Sequence, residues 1–165
     1  MTPIERVVPE PGQESVWDYP RPPSLQRCDK LVRILLQGEL LAETTAALCV
    51  RETSHPPTYY LPPADIDMRY LNQVPGASVC EWKGMASYYD IVCNGEIYPR
   101  VAWTYHHPEA SFLELRDHIA FYAQVMDACY VGDDRVLPQP GNFYGGWITP
   151  DVVGPFKGEP GTMGW

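Results

Sequence analysis

The chain has 165 residues, 45% hydrophobic and 12% aromatic, with a formal net charge of −9. That length supports one domain with its own hydrophobic core and needs no disulfide staples. With 12 lysines and arginines against 21 aspartates and glutamates, and no basic cluster, the composition excludes a nucleic-acid partner and an anionic membrane surface.

The five cysteines, Cys28, Cys49, Cys80, Cys93 and Cys129, are odd in number and contain no C-x2-C pair, a pattern of reduced thiols in a reducing compartment. The first residues hold no apolar run of signal-peptide length, and no segment approaches the roughly 18 apolar residues of a spanning helix. The expectation is a cytoplasmic protein.

Residues 1–24 carry Pro3, Pro9, Pro11, Pro20, Pro22 and Pro23, which force extended backbone and predict an arm. Its Val16-Trp17-Asp18-Tyr19 segment predicts that the arm lies back on the domain formed by residues 25–165 and covers part of it. Next, 31–36 and 40–42 form a hairpin across Gln37-Gly38-Glu39, followed by strands over 47–53 and 58–61, each closed by a Pro-Pro pair. The pattern over 65–71 predicts one short helix that begins near Asp65. Strands over 78–82 and 86–92 pair across Lys83-Gly84, and Asn94-Gly95 turns the chain into a strand over 96–105. Two more strands follow at 119–123 and 127–131, and beyond Val136 the chain is rich in proline and glycine. Without repeats or βαβ alternation, this describes an all-β domain of about eight or nine antiparallel strands.

Several residues could carry chemistry. Cys80 and Lys83 place a thiol near an ammonium, and a cation nearby favours the thiolate, the reactive form of cysteine. Strand alternation puts the two on opposite faces unless Gly84 turns the chain. Glu52 and His55 bring a carboxylate and an imidazole to a strand end, where loops often hold functional groups. His55, His106, His107, His118 and the cysteines lack metal-ligand spacing, so no metal or other cofactor is expected. Asp65-x-Asp67 has no phosphate cradle beside it and reads as first-turn carboxylates of the helix. The aromatics Tyr60, Trp82, Trp103, Tyr105 and Trp147 recur on strands or their ends, and such side chains suit both a core and a small-molecule cleft.

The run Glu14 to Pro23, Ala42-Glu43-Thr44-Thr45, Glu52 to Pro62, Cys80-Glu81-Trp82-Lys83-Gly84, Tyr88-Tyr89, Ala102-Trp103-Thr104-Tyr105 and Asn142 to Trp147 together resemble a known family. It is the bacterial and fungal domain of unknown function four-two-seven, which carries a nucleotidyltransferase-like label. Glu81 stands where that family commonly has proline. The resemblance implies a β-tent fold of two small antiparallel sheets leaning together, and it implies no established catalytic residues. Many β-tent relatives hold zinc through paired cysteines, which this chain lacks.

Three functions follow as expectations. The first is a small-ligand-binding domain with an aromatic cleft formed by Tyr60, Trp82, Trp103, Tyr105 and Trp147, in which Lys83 is the polar handle. The second is an enzyme that uses Cys80 as nucleophile, or Lys83 as electrostatic stabiliser with Glu52 or His55 as base. The third is an interaction module whose arm docks on a neighbour to make a homodimer.

Overall fold

Prolines and glycines cut the chain into short extended segments, and these pair with neighbours in antiparallel sheets. The computed structural model describes residues 4–80, 82–141 and 143–165, so Pro3, Glu81 and Asn142, on which the sequence reading drew, lie outside the described residues. The strands are β1 (Glu14–Ser15), β2 (Ser24–Cys28), β3 (Val32–Leu36), β4 (Glu39–Thr44), β5 (Ala47–Arg51), β6 (Thr58–Tyr60), β7 (Leu71–Cys80), β8 (Gly84–Cys93) and β9 (Glu96–Thr104). They continue as β10 (Ile119–Phe121), β11 (Ala128–Val131), β12 (Asp134–Arg135), β13 (Leu137–Pro138), β14 (Trp147–Ile148) and β15 (Val152–Val153).

The protein is β-rich and built of several small antiparallel sheets, as its sequence predicts. Two sheets have four strands, in the orders β10-β9-β8-β7 and β12-β11-β3-β4. A three-stranded sheet, β2-β5-β6, and two two-stranded ribbons complete the set; the strands beyond the nine expected are β2, β12 and the four of the ribbons. Asn94 and Gly95 both adopt positive φ, at 50° and 82°, which matches the twist a tight hairpin needs between β8 and β9.

The helix expected over 65–71 is corrected to two separate 3-10 turns, Pro63–Asp65 and Met68–Tyr70. Between them Ile66 is buried and bridges Ala42 in extended conformation, because burying this apolar side chain against β4 outweighs continuing the helix. Asp65 therefore ends the first turn and accepts a hydrogen bond from the Thr44 hydroxyl at 2.7 Å, while Asp67 caps the second turn at the Arg69 backbone N–H.

One bridge joins two of the sheets. Leu61 and Ile119 exchange both backbone hydrogen bonds at 2.8 Å, so β6 continues into β10 and the run β2-β5-β6 extends toward β10-β9-β8-β7. Along these strands successive side chains alternate between two apolar clusters. Ala47, Cys49, Tyr59 and Ala102 face the main core, where Ile34, Leu41, Ile91 and Phe121 lie. Leu48, Val50, Tyr60 and Trp103 face a second cluster with Tyr105, Phe112 and Leu115.

The arm packs against the rest of the chain. β1 pairs in parallel with β15, Val16 is fully buried, and the Trp17 indole donates to the Pro155 carbonyl at 2.9 Å. The arm also grips the loop after β5: Ser54 N–H donates to Val16 O at 3.0 Å, and the Arg21 guanidinium donates to Thr53 O at 3.0 Å. Val16→Ala removes two carbons from this site and is expected to cost about 2 kcal/mol of stability. The check is a urea titration, in which the midpoint falls at constant slope; an unchanged midpoint would show that the arm adds nothing to the fold.

Candidate functional site

A cavity of about 330 Å³ opens over the second apolar cluster. Its walls come from six places: Val50 and Tyr60 on β5 and β6, the β7–β8 hairpin, Trp103 and Tyr105 at the end of β9, Tyr122 just after β10, the loop Glu52–Pro56, and the tail from Gln139 to Lys157. Because alternation turns Tyr59 into the main core, it turns Tyr60 toward the cavity. There Tyr60 meets Trp103 edge to face at 6.3 Å between ring centres and Tyr105 at 6.2 Å. Tyr122 tilts against Trp103 at 4.7 Å and fixes itself by donating its hydroxyl hydrogen to Phe143 O at 2.9 Å. Such aromatic pairs contribute about 0.5–1.5 kcal/mol each beyond their buried area.

Cys80 and Lys83 both line this cavity. Cys80 pairs with Gly84 at the end of the hairpin, and the tight turn between them, with Gly84 at φ 108°, swings Lys83 back to the thiol's side. A Cβ at position 84 would press on the His107 carbonyl, which makes glycine the fitting residue there. Lys83 is only 9% exposed, and its ammonium lies 5.9 Å from the centre of the Tyr105 ring. Burial works against its charge, ionisation of its neighbours Tyr60, Cys80 and Glu52 works for it, and the balance raises its pKa; at neutral pH Glu52 is the neighbour among these that acts as a carboxylate. Lys83 is thus an ammonium at neutral pH. For the phenols of Tyr60 and Tyr105 burial acts the other way and raises the pKa, so both stay protonated.

His55 is held by Gln139. The Gly146 N–H donates to Gln139 Oε1 at 3.0 Å, which aims the amide NH2 at His55 Nδ1 (3.0 Å) and at the Lys157 carbonyl (2.8 Å). With Nδ1 accepting, the ring proton is assigned to Nε2, 3.6 Å from Glu52 Oε2. Burial, with the nearby positive charges of Lys157, Arg21 and Lys83, pushes the His55 pKa down to about 4. The imidazole is neutral at pH 7, so its approach to Glu52 is a contact with a carboxylate and not an ion pair. Glu52 itself lies 3.8 Å from Arg21 Nε.

The family model described as Domain of unknown function (DUF427) matches residues 24–132, about two thirds of the chain. The chain belongs to this family. No curated protein matches it. The DUF427 match takes in the cavity walls from Val50 to Tyr122, whereas Gln139, Tyr144, Gly145 and Lys157 lie beyond it.

Within this DUF427 domain, the cavity brings together Glu52, His55, Tyr60, Cys80, Trp82, Lys83, Trp103 and Tyr105. Trp147 is a correction. It is buried in the main core, stacked on Tyr59 at 5.3 Å, with its indole N–H donating to Phe121 O at 2.9 Å. The preceding Gly145-Gly146 is the reason. A Cβ at Gly145 would collide with the Trp103 ring, and one at Gly146 with Pro56 O and Gln139 Oε1. Gly145 therefore forms part of the wall, and the chain passes behind it through Gly146 before Trp147 begins β14. Sequence reasoning missed Gln139, Tyr144 and Lys157, which sit in a tail without periodicity. Lysine scarcity was the available signal, since two of only three lysines, Lys83 and Lys157, line the cavity. Among the described residues, no three His, Cys, Asp or Glu side chains gather as a metal ion would need, and no helix is long and apolar enough to cross a membrane.

The depressed His55 pKa has a stability consequence. Between about pH 6.5 and 4 the unfolded chain takes up a proton at this residue that the folded chain refuses. Its contribution is complete above that window and is lost as pH falls through it, by up to about 3 kcal/mol. Melting temperatures measured from pH 7.5 to 4.5 should fall less steeply in His55→Gln than in the unaltered protein; parallel profiles would refute the assignment.

Proposed function

We propose that this domain binds a small organic ligand in the cleft walled by Tyr60, Trp82, Trp103 and Tyr105, with Lys83 as its polar handle. One observation carries the reading: these aromatic faces and a nine-tenths-buried ammonium converge on a single cavity of about 330 Å³. Small-molecule sites typically have this size and this mixture of apolar walls with a few polar groups. Trp82 is half-buried on the hairpin turn, so it can meet a ligand without being needed by the core.

Crystals soaked with small aromatic fragments should show density between Trp82 and Trp103. Trp82→Ala should weaken the same fragments about tenfold with little change in melting temperature. Fragments that settle only outside the cleft would overturn the reading.

A second reading is thiol chemistry, favoured by Cys80 standing beside Lys83 and Tyr105 in the same cavity. His55 is ill suited as the base for it, because it already accepts a hydrogen bond at Nδ1 and its low pKa makes it a weak proton acceptor. Alkylation by iodoacetamide at pH 7, with Cys80→Ser as control, decides this. A rate at Cys80 above that of glutathione supports a nucleophile, and an equal or slower rate removes this second reading.

A further inference from the structure

We infer that the cleft's ligand is an organic anion, a carboxylate carried on a flat ring, an assignment that rests on the cleft being a ligand site. The protein's charge balance makes the local balance informative. Over the whole chain acidic residues outnumber basic ones to give −9, yet among the described residues the cleft holds two of the three lysines and a single carboxylate, Glu52. That carboxylate faces Arg21 Nε at 3.8 Å and the Nε2 side of His55 at 3.6 Å, so its charge is already answered from within the protein.

The lysines are placed differently. Lys83 is nine-tenths buried, and among the described residues no carboxylate lies within 4 Å of its ammonium. Lys157 Nζ sits 5.3 Å from the centre of the Tyr144 ring and 3.4 Å from the Trp165 carbonyl oxygen. Glu52, the carboxylate that acts on Lys83 from a distance, is already shared with Arg21 and His55, and an anion entering the cleft supplies a close partner through a charge-assisted hydrogen bond. A cation would instead face two ammonium groups. Among the described residues the cavity is lined by no helix N-terminus, and so lacks the cluster of backbone N–H donors that a phosphate dianion commonly meets, which favours a singly charged carboxylate. The indoles of Trp82 and Trp103 and the rings of Tyr88 and Tyr105 supply faces for a flat apolar body.

Four probes of nearly equal shape test this by calorimetric titration of the unaltered protein at pH 7 and low salt: benzoate, phenyl phosphate, benzamide and benzamidine. Benzoate should bind about ten times more tightly than benzamide, and benzamidine should bind weakest. Lys83→Met should abolish the benzoate advantage, bringing benzoate and benzamide to equal affinity, with near-ultraviolet circular dichroism reporting that the variant is folded. Equal affinity for benzoate and benzamide, or preference for benzamidine, would overturn the anion assignment while the cleft remained a ligand site. Preference for phenyl phosphate would overturn the carboxylate in favour of phosphate. Binding of none of the four would remove the ligand site itself, and this inference with it.

Discussion

The two hydrogen bonds between Leu61 and Ile119 govern much of what lies around them. They align β6 beside β10, and β10 is already registered on β9 through Ile119–Thr104 and Ala120–Trp103. Three strands from distant parts of the chain thereby share one pleat, and alternation sorts their side chains between two faces. Tyr59, Leu61 and Ala102 go to the main core, and Tyr60, Trp103 and Ala120 go to the other side. A shift of one residue at this junction would exchange the two sets and place the core's aromatics in the cleft. The cleft is thus the reverse side of the same sheet that closes the core.

The cleft's chemistry is set by segments that are barely regular. The Glu52–Pro56 loop is held from one side by the arm, through Val16 and Arg21, and from the other by the tail, through Gln139 and the Lys157 N–H donating to Ser54 O at 2.8 Å. Ser54 sits at φ 71°, a conformation that a serine occupies only when its surroundings over-determine it. Arm and tail converge on one loop, and among the described residues that loop carries the only imidazole and the only carboxylate that line the cavity. Electrostatics follow from that grip: a neutral histidine, a carboxylate matched by arginine, and a lysine kept charged in an apolar setting.

Legibility in the sequence followed periodicity. Hairpins marked by Gln37-Gly38 and Asn94-Gly95, the strands around them and the β-rich class could be read because apolar alternation and turn chemistry agree there. The resemblance to the DUF427 family could be read from dispersed motifs, and the family match covers residues 24–132. The turn that swings Lys83 to the side of Cys80 was foreseen only conditionally, since strand alternation alone separates the two. Ile66 defeated the helix expectation because its tertiary bridge to Ala42 has no local signature. Trp147 misled for a related reason: a tryptophan after two glycines looks exposed to a cavity, and only the Tyr59 stack reveals that it faces inward. Gln139 and Lys157 act through contacts with residues far away in sequence, which no local pattern records.

The packing of Trp103 on Gly145 affects how strongly the cleft can hold anything. The indole lies directly on backbone that carries no side chain, and it is flanked by Tyr60 and Tyr122, so its rotamer is fixed before a ligand arrives. A side chain that is mobile in the free protein loses about 0.5–1.5 kcal/mol when binding immobilises it, and this one has no such freedom left to lose. Contact energy gained against that ring therefore passes into affinity nearly undiminished. Rigidity also has a selective side: a face that cannot rotate aside admits flat groups and turns away those with bulk above the ring plane.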